Sequence, residues 1–386
     1  VKLAVTGGGT AGHVYPALSV LSALERKFPG ADVLYLGSEE GIEAKLVEEK
    51  SIPFKPIKMK GLERKFSLSA IETFYLALKS SLGAIKILRE FKPDAVFATG
   101  GYVSAPVLAA ATFLRIPFLL HEQNAIPGLT NRIFSPFASA IAISLPRSRR
   151  YFAKNKKVVH TGNPVRKEII EATRHNAISR FEIEDDIPTL LIFGGSQGSK
   201  KINQAFLEAY RHFAEFRELQ IIHLTGERDY EWVKKEIEGL RDVGDKVKYL
   251  SFPYLRDMGL AYAAADLVVS RAGATTIAEI TVRGLPAILI PYPYATANHQ
   301  EKNARILESE GAARVILDSD LNSQTLFSEV KNILFNQIAL RKMSEKSKKL
   351  GKPQADEEIL KLILSLKAFS ELEKMSEETE EEWEEI

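Results

Sequence analysis

No cysteine occurs among the 386 residues, which removes disulfides, thiolate metal sites and a cysteine nucleophile and fits a chain kept in an intracellular compartment. Long apolar runs are also missing. The most apolar stretch, "SAPVLAAATFLRIPFLL", is broken by Arg115 and Pro117 before it reaches spanning length, and no basic-then-apolar leader precedes the opening strand. Carboxylate pairs of the D-x-D type are absent from strand ends. Asp185 and Asp186 in "EIEDDIP" fit a linker turn, so no catalytic metal is expected. A strong net charge is lacking too, at a formal +2, but the balance is uneven. Residues 1–163 hold 22 Lys and Arg against 12 Asp and Glu, so they carry +10 and the remainder carries −8. The first part favours an anionic partner. Some of the acidic excess is the end segment "MSEETEEEWEEI", which has the composition of a solvated, mobile tail.

At 45% hydrophobic and 26% charged, the chain can bury a large core and is too long for one ordinary α/β domain. Short apolar runs alternate with amphipathic segments at the βα rhythm of a doubly wound parallel sheet. The strands "KLAVTG", "DVLYLG", "AVFATGG", "PFLLHEQ" and "AIAIS" make up a first half. The rhythm restarts with "TLLIFGGSQGS", "QIIHLTG", "VKYLSF", "LVVSRAGA" and "AILIPYP". Two Rossmann-like domains are therefore expected, at 1–163 and 164–338, facing a cleft. Helices over 339–370 have the periodicity to return across the junction, and 371–386 is the acidic tail.

Ligands of parallel sheets bind beyond the carboxyl ends of the strands, so those loops carry the candidates. In "AVTGGGTAGHVYPA", Gly7, Gly9 and Gly12 satisfy G-x-G-x-x-G, a strand-to-helix turn whose free amides hold phosphate. His13 follows at the helix start, where a protonated imidazole is disfavoured, so it suits proton acceptance. A dinucleotide fold would want an acidic residue about 20 positions on, and Glu39 lies late for that. The second Gly-rich turn, "FGGSQGS", offers Gly194, Gly195, Ser196 and Gln197 for a second anion, although either turn alone also serves as a tight chain reversal. "HEQNAIPGLTNR" puts His121, Glu122, Gln123 and Asn124 in one polar burst, and a carboxamide such as Asn124 both donates and accepts toward sugar hydroxyls. Arg166 in "GNPVR" fits a phosphate partner or a helix surface. Glu279 in "RAGATTIAEI" fits a ribose or the helix dipole. Asn298, His299 and Gln300 close the proline-bounded loop "PYPYATANHQEKNA".

Seven segments taken in order, "TGGGTAGHVYPA", "ATGGYVSAP", "HEQNAIPGLTNR", "GNPVR", "FGGSQGS", "RAGATTIAEI" and "GLPAILIPYPYATANHQEKNA", resemble the MurG family of UDP-N-acetylglucosamine:N-acetylmuramyl-(pentapeptide) pyrophosphoryl-undecaprenol N-acetylglucosamine transferases. The resemblance runs to about residue 365. It implies a GT-B fold, with the acceptor in the N-terminal domain and the sugar nucleotide in the C-terminal one. It implies that Thr10, Ala11, Gly12 and His13 line the acceptor and donor-sugar end. Asn124 would meet the N-acetylglucosamine, and Gly194, Gly195, Ser196 and Gln197 the diphosphate. Arg166 would face the same nucleotide, Ala274, Thr275 and Glu279 the ribose end, Gln300 the sugar hydroxyls and Phe252 the uracil. One departure stands out: Ala11 replaces a glycine usual in the family, and alanine lacks easy access to positive φ, so the grip of this turn is expected to differ slightly.

The chemistry implied is one inverting displacement. His13 or Glu122 takes the proton of the muramyl C4 hydroxyl as it attacks the anomeric carbon of UDP-N-acetylglucosamine, giving a β-1,4 link without a cofactor. The acceptor is an undecaprenyl-linked muramyl-pentapeptide, so the resemblance also implies peripheral docking on the anionic cytoplasmic face of the membrane. Ile71, Phe74, Tyr75, Leu78 and Leu82 fall at helical spacing beside Lys79, a pattern of core packing or of a membrane-facing helix. Other cell-wall synthesis proteins are possible partners, and no nucleic acid is expected. Two rival readings are an NAD-dependent enzyme using "GGGTAGH" and a GT-B transferase with another sugar nucleotide or acceptor.

Overall fold

The computed structural model describes residues 1–57, 68–195, 197–216, 218–241 and 245–366, with the backbone alone over 68–77. Ser196, the side chains of Ile71, Phe74 and Tyr75, and the segment 371–386 lie outside the described residues. The chain divides into two compact units, Val1–Pro164 with the chain from Gln354 on, and Val165–Pro353.

The first unit is built on seven parallel strands: β1 (Lys2–Thr6), β2 (Asp32–Gly37), β3 (Phe54–Pro56), β4 (Ala95–Ala98), β5 (Phe118–Glu122), β6 (Ala140–Ile143) and β7 (Val158–His160). Their order is β3-β2-β1-β4-β5-β6-β7. Helices on both faces bury the strands from two sides, so Leu3, Ala4 and Val5 are consecutive and all fully buried. The helices that matter for the site are α1 (Ala11–Lys27), α2 (Ile42–Glu48), α3 (Leu68–Phe91), α4 (Ser104–Leu114) and α5 (Leu129–Phe134). Strand order reverses between β1 and β4, so the turns that leave these two strands lie side by side, the place where such sheets bind ligands.

The second unit has six parallel strands: β8 (Thr189–Phe193), β9 (Gln220–Leu224), β10 (Lys248–Phe252), β11 (Leu267–Ser270), β12 (Ala287–Leu289) and β13 (Ala313–Val315), in the order β10-β9-β8-β11-β12-β13. Its reversal brings together the turns after β8 and β11. The helix Gln337–Leu350 stays in this unit, with the Ser344 hydroxyl donating to the Gly284 carbonyl at 2.7 Å. Only the helix Ala355–Leu364 returns to the first unit. Ile359, Leu360 and Ile363 join the core beside α1, and Arg26 pairs with Asp356 at 3.3 Å.

The ten strands anticipated from apolar runs are all present. β3, β7 and β13 were not anticipated. Each is three residues long, at or beside a sheet edge and partly exposed, so none leaves an apolar run in the sequence.

Candidate active site

In the first unit, the turns after β1 and β4 interlock. A Cβ on Gly101 would stand 2.3 Å from the Gly8 carbonyl oxygen, and the Gly8 N–H donates back to the Gly100 carbonyl at 3.4 Å. The left-handed residue of the first turn is Gly9, with φ +80°. Thr10 is extended and Ala11 already begins α1, so the Ala11 substitution needs no positive φ and the expected change of grip has no backbone basis.

His13 sits in the first turn of α1. Its ring Nδ1 lies 2.9 Å from the carbonyl oxygen of Thr99, at the end of β4. A carbonyl can only accept, so Nδ1 carries a proton, and in the neutral ring the lone pair is on Nε2. The tie is double, because the Thr99 hydroxyl donates to the His13 backbone carbonyl at 2.8 Å. The same Thr99 carbonyl also accepts from the side-chain amide of Gln123 at 2.7 Å. That amide in turn lies 3.1 Å from Nδ1 of His121, whose Nε2 donates to the Gly162 carbonyl. Burial pushes the His121 imidazole down to about 4, so it is neutral.

Glu122 is 1% exposed. Its Oε1 accepts the Asn124 N–H at 2.9 Å and the Asn124 side-chain amide at 3.5 Å. Its Oε2 accepts the Gly128 N–H at 3.0 Å and the Asn131 amide at 2.8 Å. Four N–H donors occupy the carboxylate, which makes it the brace that folds the 123–128 loop onto α5. Burial raises its pKa and those donors oppose the rise. Asn124, held beside Glu122 through backbone and side chain, is half-buried.

Two amides of the first glycine-rich turn are engaged within the fold. Gly8 spends its N–H on Gly100, and Gly9 donates to Oε2 of Glu43 at 3.1 Å. Glu43 comes from α2 and is fully buried.

In the second unit, Gly194, Gly195 and Gln197 form the turn between β8 and the helix Lys200–Ala214, which Ser199 caps. Packing is close here: a Cβ on Gly198 would lie 2.3 Å from the Thr225 carbonyl oxygen. Arg271 fastens this turn to the one after β11. It donates to Ser199 Oγ at 2.9 Å, to Asp318 at 2.6 Å and to the Ile290 and Pro291 carbonyls. Sequence reasoning missed it, since an arginine opening "RAGATTIAEI" gives no sign of four separate acceptors. Ala274 and Thr275 begin the helix Ala274–Arg283, and the Thr275 hydroxyl is buried without a hydrogen-bond partner among the described residues. The Gln300 side-chain oxygen accepts from the Ala272 and Tyr292 N–H groups at 3.2 and 3.0 Å, so its amide N–H groups face the other way.

Glu279 and Arg166 are brought together. Arg166 reaches Oε1 of Glu279 at 3.4 Å, and the Tyr262 hydroxyl donates to Oε2 at 2.9 Å. Burial raises the Glu279 pKa against the pull of Arg166. Phe252, at the end of β10, is half-buried and edge-on to Phe181 at 5.9 Å between ring centres. Leu78 and Leu82 are exposed on α3 beside exposed Lys79. No helix among the described residues is long and apolar enough to cross a membrane, and no cluster of three or more His, Asp or Glu among them could hold a metal ion. A cavity of about 650 Å³ in the first unit lies between the end of α1 and the start of β2, and none of the candidate residues lines it.

The glycosyltransferase family 28 N-terminal domain matches residues 3–143 and the family 28 C-terminal domain residues 189–359. Two similar proteins, from Desulforamulus reducens and Halothermothrix orenii, are each 44% identical over 367 residues, covering 94% of this chain and 98% of the relative. Both are named UDP-N-acetylglucosamine–N-acetylmuramyl-(pentapeptide) pyrophosphoryl-undecaprenol N-acetylglucosamine transferase. The crystal structure of Acinetobacter baumannii MurG is 30% identical with a TM-score of 0.77, covering 95% of this chain and 99% of that one. Staphylococcus aureus MnaA with UDP, at 15% identity and TM-score 0.66 over 94% and 96%, shares the fold alone. Two parallel-sheet Rossmann-like units, both family 28 domains and this identity along nearly the whole chain place the protein in the MurG family of glycosyltransferases.

Proposed function

We propose that the protein moves N-acetylglucosamine from UDP-N-acetylglucosamine to the C4 hydroxyl of an undecaprenyl-pyrophosphoryl-linked N-acetylmuramyl-pentapeptide, with inversion at the anomeric carbon. The relatives carry the name of this transfer, and the observation that carries the mechanism is the His13 ring held by Thr99. With the proton on Nδ1, Nε2 is the atom that removes the acceptor proton as the hydroxyl attacks. Thr10, Ala11, Gly12 and Asn124 position the acceptor around it, and Glu122 holds Asn124 in place.

The second unit binds the donor. Gly194, Gly195, Ser196 and Gln197, at a helix N-terminus, face the diphosphate whose charge grows as UDP leaves. Arg166 adds a fixed positive charge, and Glu279 with Ala274 and Thr275 meets the ribose end. Gln300 donates to sugar hydroxyls and Phe252 walls the uracil. No metal takes part in this reading. The lipid acceptor calls for docking on an anionic membrane surface, at its cytoplasmic face, through the exposed Leu78 and Leu82 with Lys79 beside them and Ile71, Phe74 and Tyr75 earlier on the same helix.

The test is incubation of the protein with UDP-N-acetylglucosamine and the lipid-linked acceptor in excess chelator. A β-linked disaccharide with release of UDP is expected. Retained anomeric configuration or no transfer overturns the reaction, and transfer restored only by added magnesium overturns the metal-free mechanism.

A further inference from the structure

Tyr262 lies in the helix Met258–Ala264, within the run "GLAYAAA" of small and apolar residues, and is 1% exposed. Its ring meets Phe193, the last residue of β8, edge-on at 6.0 Å between centres. Packing there asks only for a phenyl ring. The hydroxyl adds a polar group whose burial has to be compensated by a hydrogen bond. That bond goes to Oε2 of Glu279 at 2.9 Å, while Arg166 reaches Oε1 at 3.4 Å. Phe193, Tyr262, Glu279 and Arg166 all belong to the second unit. The direction of the tyrosine bond is fixed. Burial, then the nearby charge of Glu279, raises the Tyr262 hydroxyl pKa well above its ordinary value, so the hydroxyl keeps its proton and donates. Burial also raises the pKa of Glu279, opposed first by Arg166 and then by the Tyr262 bond.

A carboxylate has about four lone-pair sites. Among the described residues, Arg166 and Tyr262 take one on each oxygen of Glu279, which leaves a site on each oxygen for a ligand that offers two donors. The Glu279 side chain keeps 8% of its surface exposed, the face such a ligand would meet. The vicinal hydroxyls of a ribose are such a pair of donors. A glutamate's terminal torsion is broad, so a carboxylate held at one oxygen swings, and one held at both does not. We propose that Tyr262 is a positioning residue that clamps Glu279 with both oxygens toward the ribose diol, so that the site selects nucleotides carrying both hydroxyls. Tyr262 itself does not touch the ligand. The proposal rests on the reading of Glu279 as the residue at the ribose end.

The probes are UDP and 2′,3′-dideoxy-UDP, titrated calorimetrically into the full chain and into Tyr262→Phe, which keeps the ring and removes the donor. The parent should bind UDP at least about tenfold tighter than the dideoxy compound, which lacks the hydrogen bonds to a charged group. Tyr262→Phe should bind UDP about threefold to tenfold more weakly and the dideoxy compound unchanged, so the preference shrinks by that factor. An unchanged preference in folded Tyr262→Phe overturns the proposal, and if both affinities fall together the tyrosine only packs. The parent gives a second readout that needs no variant. With carbon-13 at Cζ of its tyrosines, the Tyr262 signal should move on saturation with UDP and stay in place with dideoxy-UDP, because only the diol shares the carboxylate with it. Equal movement with both, or none with either, overturns the proposal. A parent that binds both nucleotides alike, or neither, overturns the ribose reading of Glu279 and the proposal with it. A parent that prefers UDP beside a Tyr262→Phe that keeps the preference overturns the proposal alone.

Discussion

The Nδ1–H of His13 and the carbonyl oxygen of Thr99 are 2.9 Å apart, joining the first residues of α1 to the end of β4 across 86 positions of sequence. That carbonyl is shared with the Gln123 amide at 2.7 Å, so Gln123 fixes the acceptor that fixes the His13 tautomer. Replacing it by methionine keeps the volume and removes the donor. Gln123→Met should lower kcat about tenfold, in line with loss of one buried hydrogen bond, with the UDP dissociation constant unchanged. Equal losses in kcat and UDP affinity would point to general loosening of the fold.

Glu122 and His13 are separated by a different substitution. In Glu122→Gln, an NH2 group would face N–H donors that now meet carboxylate oxygen. The variant should lose about 1–3 kcal/mol of stability, read as a lower denaturation midpoint. Wild-type stability with turnover abolished would instead mark Glu122 as a group acting on the substrate.

His223 gives the pH dependence of stability. It is fully buried between Asn203 and the Tyr249 hydroxyl, and burial pushes its imidazole down to about 3. The unfolded chain takes up a proton near the ordinary value of about 6.5, and the folded chain does not. Stability from neutral His223 is therefore complete above about pH 6.5 and is lost as pH falls toward 3, at roughly 1.4 kcal/mol per pH unit. Denaturant titrations at pH 7, 5 and 4 should show this slope, and His223→Gln should flatten it. His121, with the same direction of shift, supplies the slope that remains.

Arg271 is 12% exposed in its side chain and pairs with Asp318 at 2.6 Å. Arg271→Met leaves Asp318 with the more exposed Lys201, at 3.5 Å, as its remaining cation. It should cost about 1–3 kcal/mol and, through the lost bond to Ser199, weaken UDP binding. Denaturation and UDP titration check the two effects separately, and an unchanged UDP affinity in the folded variant would contradict the fastening role.

The strand runs and the loops after them were legible because a parallel sheet covered on both faces demands uninterrupted apolar residues, as in "TLLIF", and because glycine-rich turns sit where strands give way to helices. Glu43 was not legible. Its amide partner Gly9 is 34 positions away, and a glutamate in the first turn of a short helix looks like a solvated residue favoured by the helix dipole. The same holds for Gly9: the motif shows where amides are, and the fold alone shows which are engaged within it. Ordinary chemistry identified His13 as a base candidate, but the Thr99 carbonyl that selects its tautomer is a backbone atom on another strand, beyond the reach of any sequence motif.

The most direct test of the account is turnover of His13→Ala at saturating UDP-N-acetylglucosamine, measured beside its UDP dissociation constant and unfolding midpoint. Loss of the general base should slow transfer by roughly 10²–10⁴-fold, with UDP affinity and folding little changed. A folded His13→Ala protein that keeps near-full turnover would contradict the assignment of the acceptor proton to Nε2 of His13.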